Sequence, residues 1–217
     1  ALQPNRRPRE ILSVTSMLKI GLTGGIGAGK SIIKRCFEVL GIPTTDADAR
    51  AKWLMTHDGA LRTALTAEFG SEVFDAAGQL NRPWLAQRAF ADPTALARLN
   101  ALVHPAVGED FARWLREQQA AGAPYIIKEA AILFEADIAR TLDYVITVAA
   151  PEDVRIRRVL ARDPHRSAAD VVAIIGRQLP EEERRRRADF VVWNDDAQPL
   201  LPQILALDAE FRRRAAA

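Results

Sequence analysis

The sequence predicts an α/β fold: a core of parallel β-strands flanked by helices, with a helical insertion and an α-helical lid. Three observations predict it. A short apolar strand beginning at Leu18 breaks into a glycine-rich turn and then a helix. Two later runs, one opening at Pro124-Tyr-Ile-Ile and the other Leu142 to Ala149, read as strands, the second almost purely apolar as in a buried parallel strand. Between them and the glycine-rich turn lies a long block whose only periodicity is helical.

The first strand runs into Gly24-Gly25-Ile26-Gly27-Ala28-Gly29-Lys30-Ser31. Its Gly24-x-x-x-x-Gly29-Lys30-Ser31 spacing is that of a phosphate-binding P-loop, so the core is read as P-loop NTPase type. Glycines here admit backbone angles that side chains forbid, and the N–H groups of Gly25, Ile26, Gly27, Ala28, Gly29, Lys30, Ser31 and Ile32 are the candidates to wrap a polyphosphate such as that of ATP. Lys30 supplies charge for the β/γ-phosphates, and the Ser31 hydroxyl is a candidate Mg²⁺ ligand. The segment Ser31 to Leu40 reads as a helix, apolar at Ile32, Ile33, Cys36, Phe37 and Leu40, with its positive N-terminus aimed at the same phosphates. The loop alone does not fix the reaction, because it serves kinases, GTPases and motor ATPases alike.

Gly41 stops that helix, and Ile42 to Thr45 reads as a second strand. Asp46 and Asp48 then fall just past a strand's carboxyl end, the edge where α/β sheets place their chemistry. Either is placed to deprotonate an attacking hydroxyl or to cap the following helix, and Asp48 is the stronger candidate for the base. Residues 49–122 are mostly helical by pattern: Ala60 to Phe69, Arg82 to Phe90, Pro93 to Leu102 and Ala106 to Gln119, punctuated at Gly70, Asp75-Ala-Ala-Gly78 and Asp92-Pro93. His104-Pro105 is expected at a break between two of them. His104 alone reads more readily as a structural residue than as a functional one.

Glu129 ends the third strand and serves equally well as a partner of Mg²⁺ through its bound water, with Asp46 as an alternative, or as a helix-start residue. After the fourth strand, Pro151 to Asp163 forms an arginine-dense helix, followed by a turn and a second helix, Ala168 to Gln178. That hairpin suits a mobile lid over 151–180, whose arginines neutralise charge during phosphoryl transfer. Arg158 and Arg162, four apart on one face, are the favoured pair; Arg155 and Arg157 read as a solvated basic face. Arg184 to Arg187 follow Glu181 to Glu183 and read as an ion-paired exposed face rather than a nucleic-acid site. A last strand, Asp189 to Trp193, ends in Asn194, a candidate contact for the adenine base. A final helix from Pro199 lies on the sheet.

Composition narrows the function classes. A length of 217 residues accommodates one large domain with an inserted subdomain. The net charge of +2 makes no case for nucleic acid. The single cysteine excludes an internal disulfide framework or a cysteine-rich metal site, and Cys36 is expected to pack behind the P-loop. No apolar run approaches the roughly 20 residues that span a bilayer, so a soluble, cytoplasmic protein without membrane partners is expected. Residues 1–16 carry prolines and arginines but no apolar h-region; they read as a flexible leader or tag, and Met17 as the natural start of the domain.

From Met17 onward the chain resembles the dephospho-coenzyme A kinase family. The resemblance rests on Gly21-Leu-Thr-Gly-Gly-Ile-Gly-Ala-Gly-Lys-Ser31, Thr45-Asp-Ala-Asp48, Leu80-Asn-Arg82, Leu102-Val-His104-Pro105, Leu133-Phe-Glu135, Arg158-x-x-x-Arg162-Asp163, Gln178, and Ala188-Asp189 with Asn194. It implies a nucleotide core over about residues 17–50 and 123–217, a helical acceptor-binding subdomain over about 51–122, and the lid. It also implies ATP-dependent phosphorylation of the ribose 3′-hydroxyl of dephospho-coenzyme A, with Asp48 as base, Lys30 and Ser31 on phosphate and Mg²⁺, Arg158 and Arg162 from the lid, and Arg82 and His104 on the acceptor side. The chain departs from the family at Ala131, where a proline is usual, and within Arg184 to Arg187, where a lysine is usual. A kinase for another nucleoside, nucleotide or small metabolite is the closest rival. A GTPase would need an Asn-Lys-x-Asp guanine-reading tetrad, which is absent. A non-catalytic ATP switch would need neither the aspartate pair nor the arginine lid. A monomer or weak homo-oligomer is expected.

Overall fold

The computed structural model describes residues 17–217, so the expected leader over 1–16 lies outside the described residues. The strands are β1 (Leu18–Gly24), β2 (Thr44–Asp46), β3 (Tyr125–Glu129), β4 (Tyr144–Ala149) and β5 (Phe190–Trp193). They form one sheet in the order β2-β3-β1-β4-β5 with every pairing parallel. The apolar run of β1 is explained by its central position: Ile20 and Leu22 are fully buried between two neighbours. Strand ends differ from the sequence reading by one or two residues, as hydrogen-bonded boundaries commonly do. One such shift matters. β2 starts at Thr44 rather than Ile42, after Pro43, which has no N–H to give the ladder, and it extends through Asp46, which pairs with Glu129 and is the last residue of the strand rather than the first beyond it.

The chain divides into two compact units. The first contains the sheet and runs to Asp46, resuming at Gln118–Ala217. Its helices are α1 (Lys30–Val39), the α6 (Glu152–Arg162), α7 (Ala168–Arg177) and α8 (Glu181–Arg187) series, and α9 (Leu200–Ala215). Ile33 and Phe37 of α1 and Ile204, Leu207 and Phe211 of α9 are fully buried with the sheet residues. Tyr125, Phe190 and Phe211 form an aromatic cluster there, with ring centroids 5.3 Å apart from Tyr125 to Phe211 and from Phe190 to Phe211. Cys36 packs, partly buried, against this core.

The second unit, Ala47–Glu117, holds α2 (Ala47–His57), α3 (Gly59–Phe69), α4 (Arg82–Ala91) and most of α5 (Pro93–Ala120). Leu54, Leu61, Leu65, Val73, Leu85 and Val103 are its core. Asp110, buried, receives Nε and Nη2 of Arg50 at 2.5 and 2.7 Å and Nη2 of Arg113 at 2.7 Å. The expected break at His104-Pro105 is corrected: Pro105 lies inside one continuous helix. Proline removes one backbone hydrogen bond there, but Leu99, Leu102, Val103, Ala106 and Val107 on either side pack into the unit's core, and that burial holds the helical course. Among the described residues no helix is long and apolar enough to cross a membrane.

Candidate active site

The glycine-rich loop is shaped by backbone angles that its sequence makes available. Gly27 and Gly29 sit in the left-handed region at φ 76° and 97°. Gly29 is the N-cap of α1, and no side chain caps that helix. Its first-turn N–H groups and the positive end of its dipole are thus arranged for an external anion. Lys30 folds back onto the loop, donating from Nζ to the carbonyl oxygen of Gly24 at 2.9 Å. Ile26 N–H is held by Oε1 of Gln178, 2.9 Å away, at the end of the α6–α7 segment.

Glycine at position 29 is also required by a close neighbour: a Cβ would overlap the side-chain amide of Asn194. Asn194 is buried at the carboxyl end of β5 and donates through Nδ2 to Ala28 O at 2.8 Å. Arg158 clasps the same residue from α6, with Nη1 2.9 Å from Asn194 O and Nη2 3.2 Å from Asn194 Oδ1, and it reaches Oδ1 of Asp196 at 2.5 Å. Arg162 lies one turn further, exposed, with Nε and Nη2 on the two oxygens of Asp163 at 3.0 and 2.8 Å. That pairing draws the Asp163 carboxyl below its usual range.

Two arginines that the pattern assigned to solvent are instead buried. Arg155 is 4% exposed and Arg184 is 3% exposed. Both guanidinium groups come to the place a side chain on Gly25 would occupy, and the backbone of Arg155 lies against Gly27. The solvated reading of Arg155 is therefore corrected, as is the exposed reading of Arg184; Arg157 does lie at the surface, paired with Asp196. Within the arginine run Arg186 and Arg187 are ion-paired, both with Glu183. A signal was present for each miss. Arg155 stands four residues before buried Val159, and Arg184 four before buried Ala188, so helical spacing puts each on an inward face.

The carboxyl edge of the sheet collects acidic groups beside the loop. Asp46 pairs in register with Glu129, and Glu129 with Leu22, two residues before Gly24. Glu129 lies 4.0 Å from Nζ of Lys34 on α1. Lys128, one residue earlier on β3, is buried, and burial pulls its ammonium down to a pKa of about 8. In the second unit, Asp48 is exposed in the first turn of α2, Arg82 is the exposed first residue of α4, and His104 is exposed midway along α5. Loop, Ser31, Asp46, Glu129, Arg158 and Asn194 thus belong to one unit, and Asp48, Arg82 and His104 to the other. Among the described residues no group of three or more His, Cys, Asp and Glu side chains is gathered as a metal site.

Such a loop can hold a polyphosphate, and oxygen donors at its rim suit a hard cation that takes its other ligands from phosphate and water. The sequence model of the dephospho-CoA kinase family matches residues 18–199. A dephospho-CoA kinase of Bacteroides fragilis is 38% identical over 192 residues, covering 88% of this chain and 92% of its own. One from Deinococcus radiodurans is 38% identical over 201 residues, with 93% and 94% covered. A solved structure from Thermus thermophilus superposes with a TM-score of 0.76 at 34% identity, covering 91% of this chain and 98% of that one. Dephospho-CoA kinase from Campylobacter jejuni shares the fold, with a TM-score of 0.61 at 20% identity over 91% and 93% of the two chains. A phosphate-binding loop at the carboxyl edge of a parallel sheet, in a chain matched nearly end to end by these relatives, places it in the dephospho-CoA kinase family.

Proposed function

We propose that the chain transfers the γ-phosphoryl group of ATP to the ribose 3′-hydroxyl of dephospho-CoA, giving coenzyme A and ADP. Members of its family phosphorylate dephospho-CoA with ATP in coenzyme A biosynthesis. The observation that carries the reading is the uncapped start of α1 behind Gly29, Lys30 and Ser31, at a sheet edge that also bears Asp46 and Glu129.

In this reading the loop from Gly25 to Ile32 and Lys30 hold the β- and γ-phosphates, with the Ile26 N–H kept by Gln178. Arg158 and Arg162 meet the developing charge as the segment 151–180 closes, and closure excludes water, which otherwise competes as acceptor. Asn194, whose amide is held by Ala28 and Arg158, acts on the nucleotide by shaping the loop. Asp48 takes the proton from the attacking hydroxyl. Arg82 and His104 bind the acceptor within the helical unit. Mg²⁺ would be held by the Ser31 hydroxyl and substrate phosphates, with Asp46 or Glu129 behind bound water, and it supplies charge neutralisation at the phosphates. The enzyme is read as cytoplasmic, a monomer or weak homo-oligomer, with no nucleic-acid or membrane partner.

The test is the position of the new phosphate. Incubation with Mg·ATP and dephospho-CoA, followed by mass and phosphorus-31 NMR analysis, is expected to give coenzyme A with a 3′-phosphomonoester. A 2′-ester, or ADP formed with no new ester, overturns the assignment.

A further inference from the structure

Behind the phosphate loop lies a charge arrangement that folding alone does not reward. Arg155 and Arg184 are both almost fully buried and converge on the site that a side chain at Gly25 would fill. Nε and Nη1 of Arg155 and Nε of Arg184 have no hydrogen-bond partner. Arg184 Nη1 donates to the carbonyl of Leu179. Among the described residues Arg155 forms only long ion pairs, Nη2 with Glu152 and Nε with Glu181, each 3.8 Å and beyond hydrogen-bond reach. Burial and then the charge of Arg155 lower the pKa of Arg184 more than Glu181 and Glu135 raise it, although a guanidinium stays charged throughout the physiological range. Burying two cations side by side costs desolvation and repulsion, and unsatisfied N–H groups add to the cost. Such a cost is offset when a multivalent anion binds across the loop, since in a low-dielectric interior charge acts over several ångströms without direct contact.

We propose that Arg155 and Arg184 form a buried positive floor beneath Gly25 that tightens nucleotide binding in proportion to the charge of its phosphate chain. They are positioning residues: they hold the loop from behind and raise the potential where the β- and γ-phosphates lie. This rests on the reading that the loop binds ATP. It adds one residue of the segment 151–180, on α6, and one just beyond it, on α8, to the machinery that discriminates ATP from ADP.

The experiment measures Kd by calorimetry for ATP, ADP, AMP and adenosine on the full chain, as wild type, Arg155→Gln, Arg184→Gln, Arg155→Lys and Arg184→Lys. Each glutamine variant is expected to lose about tenfold for ATP, less for ADP, and little for AMP or adenosine, while each lysine variant recovers most of the loss. A loss equal for all four ligands makes the arginines merely structural and overturns the proposal, as does no loss at all. Thermal melts identify any variant that fails to fold. If Arg155→Gln does so, Arg184→Gln carries the comparison, and if both do, Arg155→Met and Arg184→Met carry it: an ATP affinity that falls no further than that for adenosine overturns it. A wild type that binds ATP no better than adenosine would instead sink the assignment of the loop itself.

Discussion

Asn194 at the end of β5 donates through Nδ2 to the carbonyl oxygen of Ala28, 2.8 Å away, and so ties the far strand of the sheet to the phosphate loop. The same side chain accepts from Arg158 of α6. Its amide is already committed to protein partners, so its influence on a nucleotide runs through the loop's shape. Asn194→Ala leaves a buried carbonyl and a guanidinium N–H without this partner. The expected cost is about 1–3 kcal/mol of stability, seen as a lower urea midpoint, together with a raised KM for ATP. A variant with unchanged stability and KM would show the contact to be incidental.

Asp48→Asn removes a proton acceptor and keeps the side chain's size. ATP affinity by calorimetry is expected to stay near that of wild type, while phosphoryl transfer in a single turnover falls by about 10²-fold or more. Retained turnover would take Asp48 out of the base's role.

Lys128 provides a pH signature. Its folded pKa, about 8, is below its ordinary 10.5 because burial disfavours the charged form. Below pH 8 it is charged in both states and the cost is present in full. Between pH 8 and 10.5 the unfolded state holds the extra proton, so unfolding free energy rises with pH, by about 3 kcal/mol over the whole window. Tyr125, whose phenol is pushed up by burial and by its bond to Asp208, opposes this above about pH 10. Denaturant titrations from pH 7 to 9.5 should therefore show a rise in wild type that Lys128→Met lacks. Parallel profiles would contradict the assignment.

Pro105 interrupts the hydrogen-bond ladder of α5 at an exposed position. Pro105→Ala restores one N–H donor and is expected to stabilise the protein by about 1–3 kcal/mol, visible as a raised Tm. A lowered Tm would mean that the helix depends on the proline's geometry.

The core was legible in the sequence because its signals are local and backbone-driven. The strand, glycine turn and helix from Leu18 to Leu40 carry their own geometry, and the apolar run into Ala149 marks a strand covered on both faces. Pro105 misled because a local helix-breaking rule was outweighed by packing on both sides of it. Arg155 and Arg184 were misread because charge was weighed above helical position, although each stands four residues from a buried apolar neighbour. Asn194 was singled out from its place at a strand end. Its bond to Ala28 spans 166 residues, and no pattern in the chain encodes a contact at that separation.

Specificity for dephospho-CoA is tested by ADP release from Mg·ATP with dephospho-CoA, adenosine, AMP or water as acceptor. Strong stimulation by dephospho-CoA alone is expected. Equal release with every acceptor would leave the phosphate loop standing and contradict the substrate.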